Sequence, residues 1–411
     1  MNDNKIAVIG VGYVGLPLLE AFSANKGNEI KGYDISKDRI NDIRHRFANS
    51  NTHLFLTSNI DDIASSNIYI VTVPTPVDKN NKPDSTCLSI VCKMLGNIVK
   101  KGDTIIFEST VYPTMTENYC IPIIEAGSKL QAGKDFLYGY SPERINIGDS
   151  EHTIRNSIKI VAGCDEQTTI KIADIYKSIP GLKVKMVASI KVAEAAKLME
   201  NTQRDILIAF ANEYSEFCTQ IGININDVIA AASTKWNFSQ VYPGLVGGHC
   251  ISVDPYYLLQ KACEIGLSLP LVSTARMVNE NKVSKVVDRF VEKLHNTDIP
   301  TENNKILIVW FSYKKNCADI RNTKVANLVK GFKNYGYIVD VYDPLVNKHA
   351  AEKMYGIHLV TKEELSHHQY RGILEAVHHD AFQNLHFEDS ISKLFLKIEQ
   401  LLWFNKKTIN P

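Results

Sequence analysis

Short apolar runs with no alternation punctuate the first third of the chain. Lys5 to Ile9, the more mixed strand Glu29 to Tyr33, Ile68 to Val73, Thr104 to Phe107 and Phe136 to Tyr140 each end at a glycine, proline or polar stop. Runs of this length suit strands buried on both faces of a parallel sheet. Between the first two, Leu16, Leu18, Leu19, Ala21 and Phe22 follow a helical pattern. The stops Pro74-Thr75-Pro76, Glu108-Ser109-Thr110 and Ser141-Pro142-Glu143-Arg144 then mark the carboxyl edge of a sheet, where open α/β folds bind ligands. From Ser189 to about Ile221 no proline interrupts the chain, and Gly222 is the first break. Val192, Ala195, Ala196, Met199, Ile206, Ala209, Phe210 and Phe217 recur there at helical spacing, which predicts one long helix. A polar stretch, His295 to Asn304, reads as a linker. Lys305 to Phe311 and Ile338 to Tyr342 then open a second strand-helix-strand unit.

The turn after the first strand is Gly10-Val11-Gly12-Tyr13-Val14-Gly15, and the second strand ends in Asp34. Strand, G-x-G-x-x-G, helix and a late acid form a dinucleotide fingerprint in its confirming context. Gly10 makes the tight turn, Gly12 admits the pyrophosphate and Gly15 packs helix on strand, with the helix N-terminus facing the anion. A carboxylate at Asp34 accepts from the ribose hydroxyls and repels a 2′-phosphate, which favours NAD. The expected fold class is α/β, with two Rossmann-like doubly wound parallel-sheet domains joined by a long central helix and a helical middle domain. The expected boundaries are 1–187 for NAD binding, 188–296 for the middle and 303–411 for the last domain.

With 411 residues the chain exceeds what one core usually holds. Its balance of Lys+Arg 46 against Asp+Glu 45 gives no basic excess for nucleic acid. No signal peptide or membrane-length apolar run is legible, so a cytoplasmic protein is expected. The eight cysteines include no C-x-x-C pair and are expected to be reduced and mostly core. His249 and the pair His378-His379 lack the partners of a zinc site; His378-His379 reads as surface or turn, and no metal is expected.

Cys250 is the exception to the inert cysteine. It follows Gly247-Gly248-His249 and precedes Asp254 by four residues. Glycines let backbone approach a ligand, and a nearby carboxylate can act as base or orient water. Glu194, Lys197, Asn201 and Arg204 share one face of the long helix. A buried lysine there can stabilise an oxyanion. A thiol beside a nicotinamide cofactor points to alcohol oxidation that passes the aldehyde through a thiohemiacetal and a thioester to the acid.

Taken together, Gly10–Gly15, Val73–Pro76, Glu108–Thr110, Tyr140–Arg144, Glu194–Arg204 and Pro243–Asp254 resemble the UDP-sugar 6-dehydrogenases. Thr234–Phe238, Gly244–Tyr257 and Asn316–Lys324 look most like the bacterial UDP-N-acetylhexosamine branch, which serves surface polysaccharides such as capsule and O-antigen. The resemblance implies Cys250 as nucleophile and Lys197 as proton shuttle and oxyanion stabiliser, helped by Asn201. It implies that Asp254 assists base chemistry and that Glu143 and Thr110 position water. NAD would be touched by Gly10, Gly12, Tyr13, Val14, Gly15, Asp34, Arg39, Thr75, Thr110 and Arg321. Substrate would be held by Glu143, Arg144, Ile145, Lys197, Asn201, Arg204, Gly247, Tyr313 and Lys314. It also implies a homodimer or higher homo-oligomer built on the long helix. Two departures stand out: Trp310 where relatives usually carry glycine, and Glu375 where they carry an apolar residue. Three alternatives remain open: a UDP-glucose 6-dehydrogenase, a two-electron hydroxy-acid dehydrogenase and a non-catalytic nucleotide-sugar binder.

Overall fold

The computed structural model describes residues 4–25, 27–47, 54–144, 154–297, 304–380, 392 and 394–402. They form two compact units, Met1–Glu200 with Tyr256–Leu267, and Asn201–Pro255 with Ser268–Pro411.

The first unit is built on strands β1 (Lys5–Ile9), β2 (Glu29–Tyr33), β3 (Phe55–Thr57), β4 (Ile68–Val71), β5 (Thr104–Phe107), β6 (Leu137–Tyr140), β7 (Ile158–Gly163) and β8 (Lys183–Met186). They lie in the order β3-β2-β1-β4-β5-β6-β7-β8. Neighbours are parallel except β6 and β7. Ile9 pairs with Tyr33 on one side and Val71 on the other, so the chain reverses direction across the sheet at β1 and β4. This is the switch point where such sheets bind ligands. Ala7, Ile9, Tyr69, Val71, Ile105 and Phe107 bury one face; Ile6, Val8, Ile70 and Ile106 bury the other with Leu19 and Phe22. Both faces are dry, which is why these runs do not alternate. β4 stops two residues short of the expected Val73 because Thr72 turns its hydroxyl onto the Gly10 carbonyl at 2.8 Å.

The second unit holds β9 (Lys305–Val309), β10 (Ile338–Tyr342), β11 (Gly372–Glu375) and β12 (Phe395–Lys397), parallel throughout in the order β10-β9-β11-β12. The helices Pro270–His295 and Lys324–Asn334 cross closely, with Phe290 and Phe332 edge to face at 5.1 Å. A Cβ on Gly331 would stand 2.7 Å from Val287, so only glycine fits that crossing.

Trp310 follows β9 at φ +73°, a left-handed conformation that glycine adopts freely and a bulky residue does not. Its amide donates to the Tyr342 carbonyl at 2.8 Å. The indole is buried edge-on against His379, with ring centres 5.0 Å apart, and tilted against Tyr342 at 6.2 Å. The backbone strain, about 1–3 kcal/mol, is offset by this ring packing. His379 is therefore not a surface residue: it is 1% exposed, close to the Ser312 hydroxyl at 3.1 Å, and accepts from the Asn316 amide at 2.9 Å. Burial pulls its pKa below the ordinary histidine value. Glu375 ends β11 in hydrogen-bond contact with His378 Nδ1 at 2.9 Å and in an ion pair with Lys397 at 4.0 Å, so the charge is met locally.

The long helix is Ile190–Ile221, and Gly222 ends it at φ +76°. Its apolar positions do not form one buried stripe: Leu198 and Ala209 are buried, but others are not. Val192, Met199, Phe210 and Phe217 are exposed, whereas Glu194, Lys197, Thr202, Asp205, Asn212 and Ser215 are buried. All of these polar residues but Thr202, whose buried hydroxyl has no hydrogen-bond partner among the described residues, turn inward onto a partner. Arg276 bonds Asp205 at 2.6 Å, Asn279 bonds Asn212 at 2.9 Å, and Ser215 donates to the Leu402 carbonyl at 2.6 Å.

Candidate active site

The glycine turn follows β1 directly. Gly10 sits at φ +94°, with its Cβ position 3.0 Å from Val73. A Cβ on Gly15 would lie 2.2 Å from the Gly10 carbonyl and 2.5 Å from the Thr72 hydroxyl, so the helix Gly15–Ser23 touches the strand where nothing but glycine fits. Gly12 differs: its Cβ would meet nothing within 4 Å, and a side chain there would fill the space in front of the turn. No side chain caps the helix at Val14, which leaves the positive N-terminus for an anion. Asp34 follows β2 and accepts from the Ser36 amide at 2.9 Å. Arg39 donates to the Val11 carbonyl at 3.0 Å and braces the turn from behind Asp34. These residues fit a dinucleotide, with its pyrophosphate at Gly12 and a ribose at Asp34. Ser109 donates to the Val73 carbonyl at 2.7 Å, tying the Thr75 loop to the Thr110 loop beside this turn; Tyr13 is about half exposed.

A buried charge chain lies at the ends of β5, β6 and β7. Lys159 reaches Glu108 at 2.8 Å and Glu143 at 3.2 Å, while Tyr176 donates to the other Glu108 oxygen. Burial works against the Lys159 charge, but the two carboxylates outweigh it and raise its pKa. Burial lifts the Glu108 carboxyl above its ordinary value despite Lys159. Glu143 thus has its carboxylate on Lys159 and its main-chain carbonyl on Lys197, whose Nζ donates at 2.7 Å. Arg144 pairs with Glu200 at 2.6 Å and donates to the Ile158 carbonyl. Ile145 lies outside the described residues. Glu194, fully buried one turn before Lys197, accepts from the Thr114 and Thr116 amides at 2.6 and 3.0 Å. Burial pushes its pKa up to about 7.

The thiol loop belongs to the second unit. Asp254 is buried at the start of the helix Asp254–Glu264 and accepts from the Asn201 amide at 2.5 Å. The Asp254 main-chain amide donates back to the Cys250 carbonyl at 2.9 Å, so thiol and carboxylate sit on one turn. Gly248 is at φ +80°, and its Cβ would lie 2.8 Å from the Tyr313 ring; that of Gly247 would lie 2.9 Å from the Asn322 carbonyl. The two glycines therefore let the loop lie against the 313–322 segment, a packing role not legible in the sequence. Cys250 is partly exposed, with its Sγ 3.5 Å from His249 Nδ1. His249 Nε2 lies 3.7 Å from Asp319, which Arg321 grips at 2.6 Å. Lys314 lies over the Tyr313 ring at 5.6 Å, and Arg204 is exposed on the long helix. Four of the eight cysteines are buried, fewer than expected, and all are free thiols.

Sequence reasoning missed Lys159, Tyr176 and the Asp319–His249 contact. A lysine inside the apolar run Ile158–Gly163 was the available signal for the first. Among the described residues no group of three or more His, Cys, Asp or Glu is placed to hold a metal. No described helix is long and apolar enough to cross a membrane.

A doubly wound sheet with a glycine turn and an acid after β2 defines an NAD-binding α/β oxidoreductase. The chain belongs to the UDP-glucose/GDP-mannose dehydrogenase family: residues 4–180 match its NAD binding domain, 191–281 its central domain and 307–401 its UDP binding domain. It is 41% identical to a UDP-N-acetyl-D-glucosamine 6-dehydrogenase of Pseudomonas aeruginosa over 98% of this chain and 96% of that one. It is 40% identical to the Salmonella typhi protein of the same description, over 95% of this chain and 93% of that one. A solved structure of a UDP-D-ManNAc dehydrogenase from Pyrococcus horikoshii superposes with a TM-score of 0.84 at 28% identity, covering 96% of this chain and 94% of that one. The protein is thus an NAD-dependent UDP-sugar dehydrogenase, as the sequence led one to expect.

Proposed function

We propose that the chain oxidises C6 of a UDP-N-acetylhexosamine to the uronic acid in two steps, taking four electrons. The observation that carries this reading is the partly exposed Cys250 on one turn with a buried Asp254. A two-electron dehydrogenase has no use for such a thiol. NAD, when bound, would take up one hydride, that is two electrons, at each oxidation.

The residues divide the work as follows. In the first step Lys197, positioned on the Glu143 carbonyl, shuttles the proton of the C6 hydroxyl and stabilises its oxygen as the aldehyde forms. The Cys250 thiolate adds to the aldehyde carbon, and the alkoxide takes a proton to give a thiohemiacetal. The second oxidation leaves a thioester. Water, oriented by Glu143 and Thr110, cleaves the C–S bond, releasing the acid and returning the thiol. Asn201 holds Asp254 in place as a base for these transfers. Arg144, Ile145, Arg204, Gly247, Tyr313 and Lys314 bind the sugar nucleotide, and cationic groups among them suit its diphosphate. Arg321 and the first-unit residues Tyr13, Val14, Asp34, Arg39, Thr75 and Thr110 bind NAD.

The relatives named for UDP-N-acetyl-D-glucosamine support the acetamido sugar, and the product would feed surface-polysaccharide synthesis in the cytoplasm. The outward Phe210, Tyr214 and Phe217, with rings 5.7 and 5.6 Å apart, support a homodimer on the long helix. The test is to count NADH formed per sugar consumed across a panel of UDP-sugars. Two NADH with UDP-N-acetylglucosamine or its epimers is expected, with no turnover by Cys250→Ala. One NADH per sugar would overturn the reading.

A further inference from the structure

We propose that His249 is a catalytic base that takes the Cys250 proton, oriented for this by Asp319. Three observations in the second unit meet at one imidazole. Cys250 Sγ lies 3.5 Å from Nδ1, a normal length for a hydrogen bond from sulfur. Nε2, on the opposite side of the ring, lies 3.7 Å from the Asp319 carboxylate. The Tyr313 ring stands beside the imidazole with centres 6.2 Å apart and closes a third side.

The order of these partners fixes the tautomer. A histidine accepts at the nitrogen that lacks a proton, and a carboxylate facing the other nitrogen keeps the proton there. Asp319 faces Nε2, so Nδ1 is left as the acceptor, and Nδ1 is the atom turned to the thiol. Asp319 can hold its charge because Arg321 donates to it from the main-chain amide at 3.0 Å and from the guanidinium at 2.6, 3.0 and 3.1 Å. Burial opposes ionisation of Asp319, but these bonds outweigh it and hold the carboxyl below its ordinary range. Cys317 Sγ accepts from the Asp319 amide at 3.3 Å, which fixes the carboxylate from its other end. The groups facing the imidazole in this unit therefore include Cys250, Asp319 and Tyr313, with Arg321 and Cys317 behind Asp319.

The step is a proton transfer. The S–H bond of Cys250 breaks, its proton passes to Nδ1, and the electron pair stays on sulfur as the thiolate. Asp319 stabilises the imidazolium. When the thiolate has added to the aldehyde, the proton on Nδ1 is free to return to the alkoxide, so nothing is consumed. Catalytic contacts of this kind are commonly a few tenths of an ångström long until substrate binds, as the 3.7 Å separation is. The arrangement is the general one of a nucleophile, a base and a group that orients the base.

The inference rests on Cys250 being the nucleophile, but its test does not need turnover. The full chain is treated with iodoacetamide from pH 5.5 to 9.5, and alkylation of the Cys250 peptide is timed by mass spectrometry. The exposed Cys87 and Cys263, read in the same digest, serve as internal standards. The wild-type Cys250 is expected to react well below the ordinary thiol range of about 8.5. In His249→Gln its profile is expected to move up, with the rate at pH 7 falling about tenfold or more, a shift of one pH unit or greater. Asp319→Asn should move it part of the way, and imidazole added to His249→Ala should restore part of the rate. A Cys250 profile in His249→Gln that overlays the wild type, with both standards unchanged, would overturn the proposal. Two NADH per sugar alongside such an overlay leaves the four-electron reading intact and removes only the histidine. A shifted profile with one NADH per sugar does the reverse.

Discussion

Lys197 and Glu143 are joined through backbone: the ammonium donates 2.7 Å to the Glu143 carbonyl, while the Glu143 carboxylate is turned to Lys159. One residue thus anchors a lysine at each end. Lys197→Met removes the donor proposed to stabilise the developing alkoxide. Loss of one such donor typically costs about 100- to 1000-fold in kcat. Initial rates with saturating NAD and UDP-sugar should show that fall with little change in KM.

Lys159 is nine-tenths or more buried between two carboxylates, so its removal should act on stability first. Breaking a buried pair from one side costs roughly 3–5 kcal/mol, whereas removing both charges is far milder. Lys159→Met is expected to unfold at clearly lower urea concentration than wild type, and Lys159→Met with Glu108→Gln to recover much of the loss. If the double variant is no better than the single one, the pair does not balance charge in this core.

Glu194 gives a pH dependence of known sign. Its folded pKa, about 7, lies above the ordinary carboxyl value of 4.5. The folded state therefore holds this proton longer than the unfolded chain. Stability from this group is fully present below about pH 4.5 and is lost as the pH rises through about 7, by roughly 3 kcal/mol in all. Glu194→Gln cannot ionise, so the difference in unfolding free energy between pH 5 and pH 8 should shrink by that order. Urea titrations at the two pH values decide it.

Asp34→Ser should weaken NAD and spare NADP. A hydrogen bond to a charged group is worth about 1.5–3 kcal/mol, so kcat/KM for NAD should fall roughly 10- to 100-fold. The ratio of NADP to NAD use should rise, since the like-charge repulsion of a 2′-phosphate is gone. An unchanged ratio would place the ribose elsewhere.

Five of the eight strands of the first sheet were legible, because dry parallel strands leave apolar runs and because the glycine turn needs its three residues for separate steric reasons; β3, β7 and β8 were not. Gly15 and Gly10 bear that out at 2.2 Å. The long helix was legible in length and in the shared face of Glu194 and Lys197, but not in the exposure of Val192, Met199, Phe210 and Phe217. Periodicity says which residues share a side, and apolar content is a poor guide when the buried side is satisfied by Arg276, Asn279 and the Leu402 carbonyl. Trp310 was visible as an oddity, yet its conformation depends on Tyr342, at the end of β10, and His379, in the loop after β11, both distant in the chain. The Asp319–His249–Cys250 line was hidden for the same reason: about seventy residues of chain separate the acid from the base it faces, and spacing along a sequence carries no trace of such a meeting.

Trp310 also gives the second sheet an optical reporter. Its indole is walled off from water by an imidazole and a phenol, whereas Trp236 is 92% exposed. Trp310 should emit toward the blue, and protonating His379 should quench it, so the colour and yield of one fluorophore would follow the integrity of that sheet while the chemistry proceeds elsewhere.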